Sequence, residues 1–266
     1  MIDRLISGLF RVYVLLSILF ILMPILTLVV FSFNINRHPR LPWSEFSFIW
    51  YEAMWNDPAM QSGFVNSLIV AACVAVIATF IGFCTAYLDY RFRFRGKIAI
   101  LAIFFMPPTI PIVILGMIFL VYLAKIGLFG ELHSVVIGHV AYCAPFAMAL
   151  VRMRLAQMDE NLEAAAWNLG ASEWTTIREI IIPFTRPAII AALFLTMAVS
   201  FDEYMIAWFV SGLNETLPAR ILAVLQGQVT PQINAVGSVV FVISISLVLV
   251  AQFVLLVRRP QSERTR

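Results

Sequence analysis

Charge is scarce in this chain. Asp, Glu, Lys and Arg make up 12% of its 266 residues, where a soluble domain carries about 25%, so an ordinary soluble globular protein is excluded. Cysteine is scarcer still. Cys73, Cys84 and Cys143 all fall in apolar runs without metal-ligand spacing, which leaves packing as their simplest role. The histidines His38, His133 and His139 are too dispersed for a metal site, and no Ser/His/Asp or Cys/His arrangement emerges. A Gly-x-x-x-x-Gly-Lys-Ser/Thr phosphate loop is missing, so ATP hydrolysis by this chain is not expected. There is no low-complexity tract and no soluble domain, and one membrane domain over 1–266 is the simplest division.

What fills the chain instead is apolar: 62% of residues are hydrophobic. Six runs are long enough for a bilayer core of about 30 Å: about 12–31, 67–88, 98–124, 134–151, 187–210 and 236–257. The runs are continuous rather than alternating, which predicts helices and not a barrel. The expected fold is therefore all-α, a polytopic membrane protein with six transmembrane helices. The first run lacks a small-residue cleavage site and reads as a retained span.

Lys and Arg orient it. With the N-terminus inside, fourteen cations fall on inner segments and four, namely Arg37, Arg40, Lys125 and Arg220, on outer ones. The positive-inside rule then places both termini and the loop at about 159–183 in the cytoplasm. The net charge of +3 follows from that topology, and no nucleic-acid surface is implied. The longest outer loop, 32–64, carries Trp43, Phe46, Phe48, Trp50, Tyr51 and Trp55. It reads either as an interfacial aromatic belt or as a contact surface for an external partner.

Three features stand out from the apolar background. Pro107, Pro108 and Pro111 interrupt the third run, where proline removes a donor and must kink or break a helix. The freed carbonyls need burial in protein or a wet cavity, so the segment is either a packing kink or part of a translocation path. Asp202 and Glu203 lie inside the fifth run, where a carboxylate must face protein or water. They mark an interface, pair with Arg220, or attract a cation on the path. Adjacent helix positions diverge by about 100°, so a regular helix cannot aim both at one pore. Asp202 is favoured for the pathway, with Met205 and Phe209 on its face and Tyr204 and Trp208 on another. His139 in the fourth run reads either as lining the pathway or, the favoured reading, as a histidine satisfied by a neighbouring helix. Asp159 and Glu160 are expected to cap or solvate the loop that follows.

The third feature is the polar loop itself. Residues 161–169 favour a helix with Asn161 as N-cap; Gly170 supplies the stop, Ser172 caps a second helix from Glu173, and Pro183 limits its far end. Trp174, Ile177, Ile180 and Ile181 fall on one stripe at helical spacing. Gly170, nine residues, then Ile180-Ile181-Ile182-Pro183 resembles the EAA loop of type I ABC importer permeases. Anchored on Gly170, the triplet falls on Ala164-Ala165-Ala166, with Glu163 one position early. The chain keeps the first acid of a Glu-Glu-Ala-Ala pattern and lacks the second, so either Glu163 substitutes in the usual acidic contact or that contact is weaker.

The resemblance spans nearly the whole chain. Ser200-Phe201-Asp202-Glu203-Tyr204 and the stretch 217–238 are most similar to the spermidine/putrescine importer permeases. It implies a permease in a bacterial inner membrane, working with a second homologous permease, two cytoplasmic ATPases and an extracytoplasmic solute-binding protein. ATP and Mg would sit on the ATPases, with no cofactor on this chain. The coupling residues implied are Glu163, Ala164, Ala165, Ala166, Gly170, Ile180, Ile182 and Pro183. The pathway would draw on Asp202, Glu203, Tyr204, Trp208, Pro107, Pro108 and Pro111. Other solutes of the same class (ferric iron, thiamine, an opine) stay open. So do a scaffold whose loop only recruits a partner and an ion-coupled secondary transporter using Asp202 or Glu203, although no inverted repeat is detectable.

Overall fold

The computed structural model describes residues 2–36, 45–159, 161–227 and 231–257. Trp43, Arg37, Arg40, His38, Glu160 and the C-terminal arginines from Arg258 onward lie outside the described residues. The elements are α1 (Ile2–Phe31), α2 (Ile49–Trp55), α3 (Pro58–Arg91), α4 (Lys97–Phe105), α5 (Ile112–Lys125), α6 (Leu132–Leu155), α7 (Asn161–Asn168), α8 (Glu173–Thr176), α9 (Ile182–Asp202), α10 (Met205–Val210), α11 (Leu217–Gly227) and α12 (Gln232–Val257). Among the described residues the only extended pairing is an isolated bridge between Asn34 and Phe46.

Among the described residues five helices are long and apolar enough to cross a membrane: Ile6–Phe31, Pro58–Arg91, Leu132–Leu155, Glu173–Asp202 and Gln232–Leu256. The expected third span is broken where its prolines fall. α4 stops at Phe105, Pro107–Thr109 form a 3-10 turn, and α5 starts after Pro111. At about 1.5 Å per residue the two pieces together still approach bilayer thickness. The fifth span is corrected at both ends: its helix begins at Glu173 and stops at Asp202 instead of running through 187–210. Pro183 does not limit a loop helix. It sits at the start of α9, and Ile177–Ile181 widen into a π turn just before it. A π turn shifts the hydrogen bonds by one residue, which accommodates the missing proline N–H without breaking the rod.

The chain divides into two compact units, one of Met1–Gln61 with Ile221–Val242 and one of Ser62–Arg220 with Ile243–Arg266. In the first, α1 leaves apolar side chains such as Phe20, Tyr13 and Leu15 exposed along its length, as a lipid-facing helix does. Rings and hydrogen bonds join the end of α1 to α2: Phe33 stacks on Phe46 at 4.7 Å, Trp50 Nε1 donates to the Asn34 carbonyl at 2.8 Å, and Ser32 Oγ lies 2.7 Å from the Tyr51 hydroxyl.

In the second unit α6 packs along α9, and α5 along α10. Small side chains allow the close approach, with Ala144 and Ala147 of α6 and Ala188, Ala191, Ala192 and Ala198 of α9 all buried. Gly82 of α3 is fixed by the same crowding, since a Cβ there would lie 2.6 Å from that of Ala147. One hydrophobic cluster centres on Val70, Val74, Leu115, Val135 and Ile206. Another, on Met148, Val151, Leu155, Met158 and Ile181, lies under the loop that carries α7 and α8.

Candidate functional site

The α7–α8 loop is built by local rules. Asp159, and not Asn161, caps α7: its Oδ1 accepts from the Asn161 N–H at 2.9 Å and from Asn161 Nδ2 at 3.0 Å. At the other end Gly170 adopts φ +83°. Its N–H donates to the Trp167 carbonyl at 2.9 Å, while the Ala171 N–H donates to that of Ala166 at 3.0 Å. This pair of bonds is the Schellman termination, which needs a left-handed residue and so selects glycine. Ser172 caps α8 as expected, its Oγ accepting from the Thr175 N–H at 3.2 Å.

The faces of the loop differ from a simple stripe. Ile181 is fully buried and Ile177 and Ile180 partly so, but Trp174 is 69% exposed; the change to π geometry after Thr176 rotates the isoleucines out of register with it. On α7, Glu163 and Ala166 turn inward, whereas Ala164 and Ala165 turn out. Leu162, Ala165 and Leu169 form an outward apolar row, with Leu169 89% exposed. Ile182 and Pro183 are exposed at the foot of α9.

Glu163 is therefore not presented at the loop surface. Its Oε2 lies 3.2 Å from Nε of Arg91, the last residue of α3. The Arg91 guanidinium also lies over the Trp167 ring, 4.4 Å from its centroid. Glu163 and Trp167 are four residues apart on one helix and so share a face; together they hold Arg91 by ion pairing and by cation–π contact. Burial pushes the Glu163 carboxyl above its ordinary range, while the Arg91 charge and a hydrogen bond with Tyr90 pull it down. Neither Arg91 nor Trp167 stands out in the sequence, because nothing in the spacing links the end of α3 to a helix so far along the chain.

At the end of α9 the helix breaks. Glu203 adopts extended backbone at ψ 118° and α10 starts two residues later. The regular-helix assignment of Met205 and Phe209 to the Asp202 face therefore does not hold. Glu203 is 7% exposed, and its Oε1 accepts from the N–H groups of Met205 and Ile206 at 2.7 and 3.1 Å, capping α10. Its Oε2 lies 2.9 Å from His139 Nε2, off the line a hydrogen bond needs. His139, fully buried, has its Nδ1 2.9 Å from Ser200 Oγ. His139 therefore reaches a hydrogen-bond partner on α9 through Nδ1 only, while Nε2 lies against the Glu203 carboxylate, which brings α6 up to the break between α9 and α10.

Asp202 is different. It is exposed, and its Oδ1 accepts from Ser244 Oγ of α12 at 2.5 Å. Neither acid pairs with Arg220, whose Nη1 instead reaches Glu215 Oε2 at 3.3 Å. Tyr204 is exposed beside Asp202, while Trp208 packs against the core. Two of the carbonyls that the prolines free are taken up within the turn, that of Ile103 accepting from the Met106 N–H at 3.1 Å and that of Pro107 from the Ile110 N–H at 3.3 Å. Pro107 lines an apolar groove of about 420 Å³ with Ile77, Ile81, Phe104 and Val140, which offers nothing to a cation. Pro108 is half-buried and Pro111 exposed, and neither lines that groove.

Residues 78–261 match the model of the family described as binding-protein-dependent transport system inner membrane component. The chain is 34% identical over 236 residues to a spermidine/putrescine transport system permease protein, PotC, of Haemophilus influenzae, covering 88% of this chain and 91% of that one. It is 32% identical to the putrescine transport system permease protein PotI of Escherichia coli K12, over 86% of this chain and 84% of that one. A bacterial ABC transporter that imports alginate has a chain of the same fold, with TM-score 0.75 at 16% identity, covering 97% of each. The chain belongs to the family of binding-protein-dependent transport system inner membrane components, as a multi-pass permease subunit of an ABC importer and not an enzyme.

Proposed function

We propose that this permease imports polyamines, putrescine or spermidine, delivered by an extracytoplasmic binding protein and driven by partner ATPases. The observation that carries the reading is the 32–34% identity to polyamine permeases over most of the chain. An exposed carboxylate, Asp202, beside a broken membrane helix agrees with it, since an acid at membrane depth is costly unless it serves a protein or water-filled path. Tyr204 adds an exposed ring that a dication can contact.

In this reading both termini and the α7–α8 loop are cytoplasmic, in line with the excess of inner cations. A second permease completes the pathway, and two ATPases hold ATP and Mg. One ATPase seats Leu162, Ala165, Leu169 and Trp174 in a cleft. Its closure on ATP moves α7, and the motion passes through Ile180–Pro183 into α9, whose far end carries Asp202. The outward apolar row is the chain's contribution to that contact, with Ala164 in place of an acid.

The test is uptake of labelled putrescine and spermidine by cells lacking the chain, with and without a restored copy. Restored uptake, competed by unlabelled polyamine but not by thiamine, ferric iron or an opine, is the expected outcome. Uptake unchanged by restoration, with the partner subunits present, discards the polyamine assignment.

A further inference from the structure

We infer that the polar pocket between the α3–α4 turn and the end of α6 binds the phosphate of an anionic phospholipid headgroup. The cavity is about 370 Å³ and is lined by Asp89, Tyr90, Arg93, Lys97, Arg152 and Met158 among others, three cations against one carboxylate. Asp89 lies 2.9 Å from Lys97 Nζ and 2.5 Å from Arg152 Nε. Lys97 also donates to the carbonyls of Asp89 and Phe92, so its three protons are committed.

The two arginines are not used up. Arg152 spends only Nε on Asp89, and its guanidinium lies 5.9 Å from the centroid of the Tyr90 ring. Arg93 has no hydrogen bond or ion pair among the described residues. Two guanidinium groups with unspent terminal donors face one pocket whose single carboxylate is already shared. That arrangement suits a phosphate, whose oxygens accept the guanidinium fork in pairs.

The surroundings identify the source of the phosphate. The turn reads Arg91-Phe92-Arg93-Phe94-Arg95-Gly96-Lys97, and Phe92, Phe94 and Ile98 are 50%, 39% and 85% exposed. It joins the ends of two apolar helices, so it lies at headgroup level. There the rings and Ile98 have acyl chains to enter while the cations stay with the phosphates. A soluble phosphate would have no use for that apolar flank. The inference needs the membrane placement but not the polyamine reading, so failed uptake would leave it standing.

The experiment titrates the full chain, purified in a neutral detergent, with dioctanoyl phosphatidylglycerol, dioctanoyl phosphatidylcholine and inorganic phosphate, reading binding by calorimetry. Phosphatidylglycerol should bind, and the other two should bind at least about tenfold more weakly. Arg93→Gln, which loses no hydrogen bond or ion pair among the described residues, should weaken phosphatidylglycerol about fivefold with an unchanged unfolding midpoint. That is the worth of one interfacial cation. Arg95→Gln, on the same turn but outside the pocket lining, should leave binding unchanged. Equal binding by Arg93→Gln, an equal loss in Arg95→Gln, or phosphatidylcholine binding as tightly would overturn the site. Inorganic phosphate binding as tightly would overturn the lipid as its occupant.

Discussion

Arg91 and Glu163 meet at 3.2 Å, one at the end of a membrane-spanning helix and the other on a short helix of the polar loop. The carboxylate is 6% exposed and the guanidinium 33%, so the pair lies between the surface and interior regimes. The acid that the family resemblance assigns to a partner contact is here an internal tie between the loop and α3.

Removing the two partners of this pair should not cost the same. Arg91→Gln strands a buried carboxylate and should lower stability by about 2 kcal/mol, between the values for exposed and buried pairs. Glu163→Gln leaves a neutral group and should cost less than half of that. The double variant should recover most of the Arg91→Gln loss. Unfolding midpoints of the four proteins in one detergent check this, and additive losses would refute the tie.

Burial of the same carboxylate sets a pH dependence, which the Arg91 charge opposes. Because burial raises the Glu163 carboxyl above its ordinary 4.5, the folded chain holds that proton more tightly than the unfolded one. This contribution to stability is fully present below 4.5 and is lost as pH rises through the elevated folded value. Glu163→Gln should flatten the stability profile across that window and leave the slope above it unchanged. An identical slope in both proteins would show that another group is responsible.

Gly170 is required for its backbone. A Cβ at Gly170 would meet open space beyond its own chain neighbours, and φ is +83°, so Gly170→Ala should cost only the left-handed penalty of about 1–2 kcal/mol. Gly170→Pro also removes the N–H that donates to Trp167 and fixes φ negative. It should abolish transport while the protein still inserts. Normal uptake by a correctly inserted Gly170→Pro would end the coupling role.

The neighbouring acids should separate cleanly. Asp202→Asn should fold normally and reduce polyamine uptake about tenfold, the magnitude of one charge contact of roughly 1.4 kcal/mol. Glu203→Ala should lower the unfolding midpoint, since it deletes the cap of α10 and strands His139, at about 2–3 kcal/mol. Glu203→Gln should keep the cap and impair uptake less than Asp202→Asn. Unimpaired uptake by Asp202→Asn would remove it from the pathway.

Leu169, just past the end of α7, is 89% exposed at the tip of the outward row. Leu169→Glu should leave the fold intact and reduce copurification of the ATPase about tenfold, as an unpaired charge does at an apolar contact. Retained ATPase together with full ATP-dependent uptake would place the contact elsewhere.

Much of this was legible in the sequence because it depends on local rules. Apolar runs near bilayer length identify spans, prolines fix where the third breaks, Ser172 caps α8, and Gly170 ends α7. The spacing from Gly170 to Pro183 carried the family. Pro183 itself misled, because a π turn ahead of it lets the helix continue, and a widened turn leaves no trace in the spacing of apolar residues. Only the tertiary structure decided what each charged side chain meets. Glu163 faces Arg91, Glu203 caps α10 beside His139, and Asp89 holds Lys97 and Arg152 together. Those partners come from different helices. Helical periodicity orders the side chains on one rod, but which faces meet depends on how the rods pack.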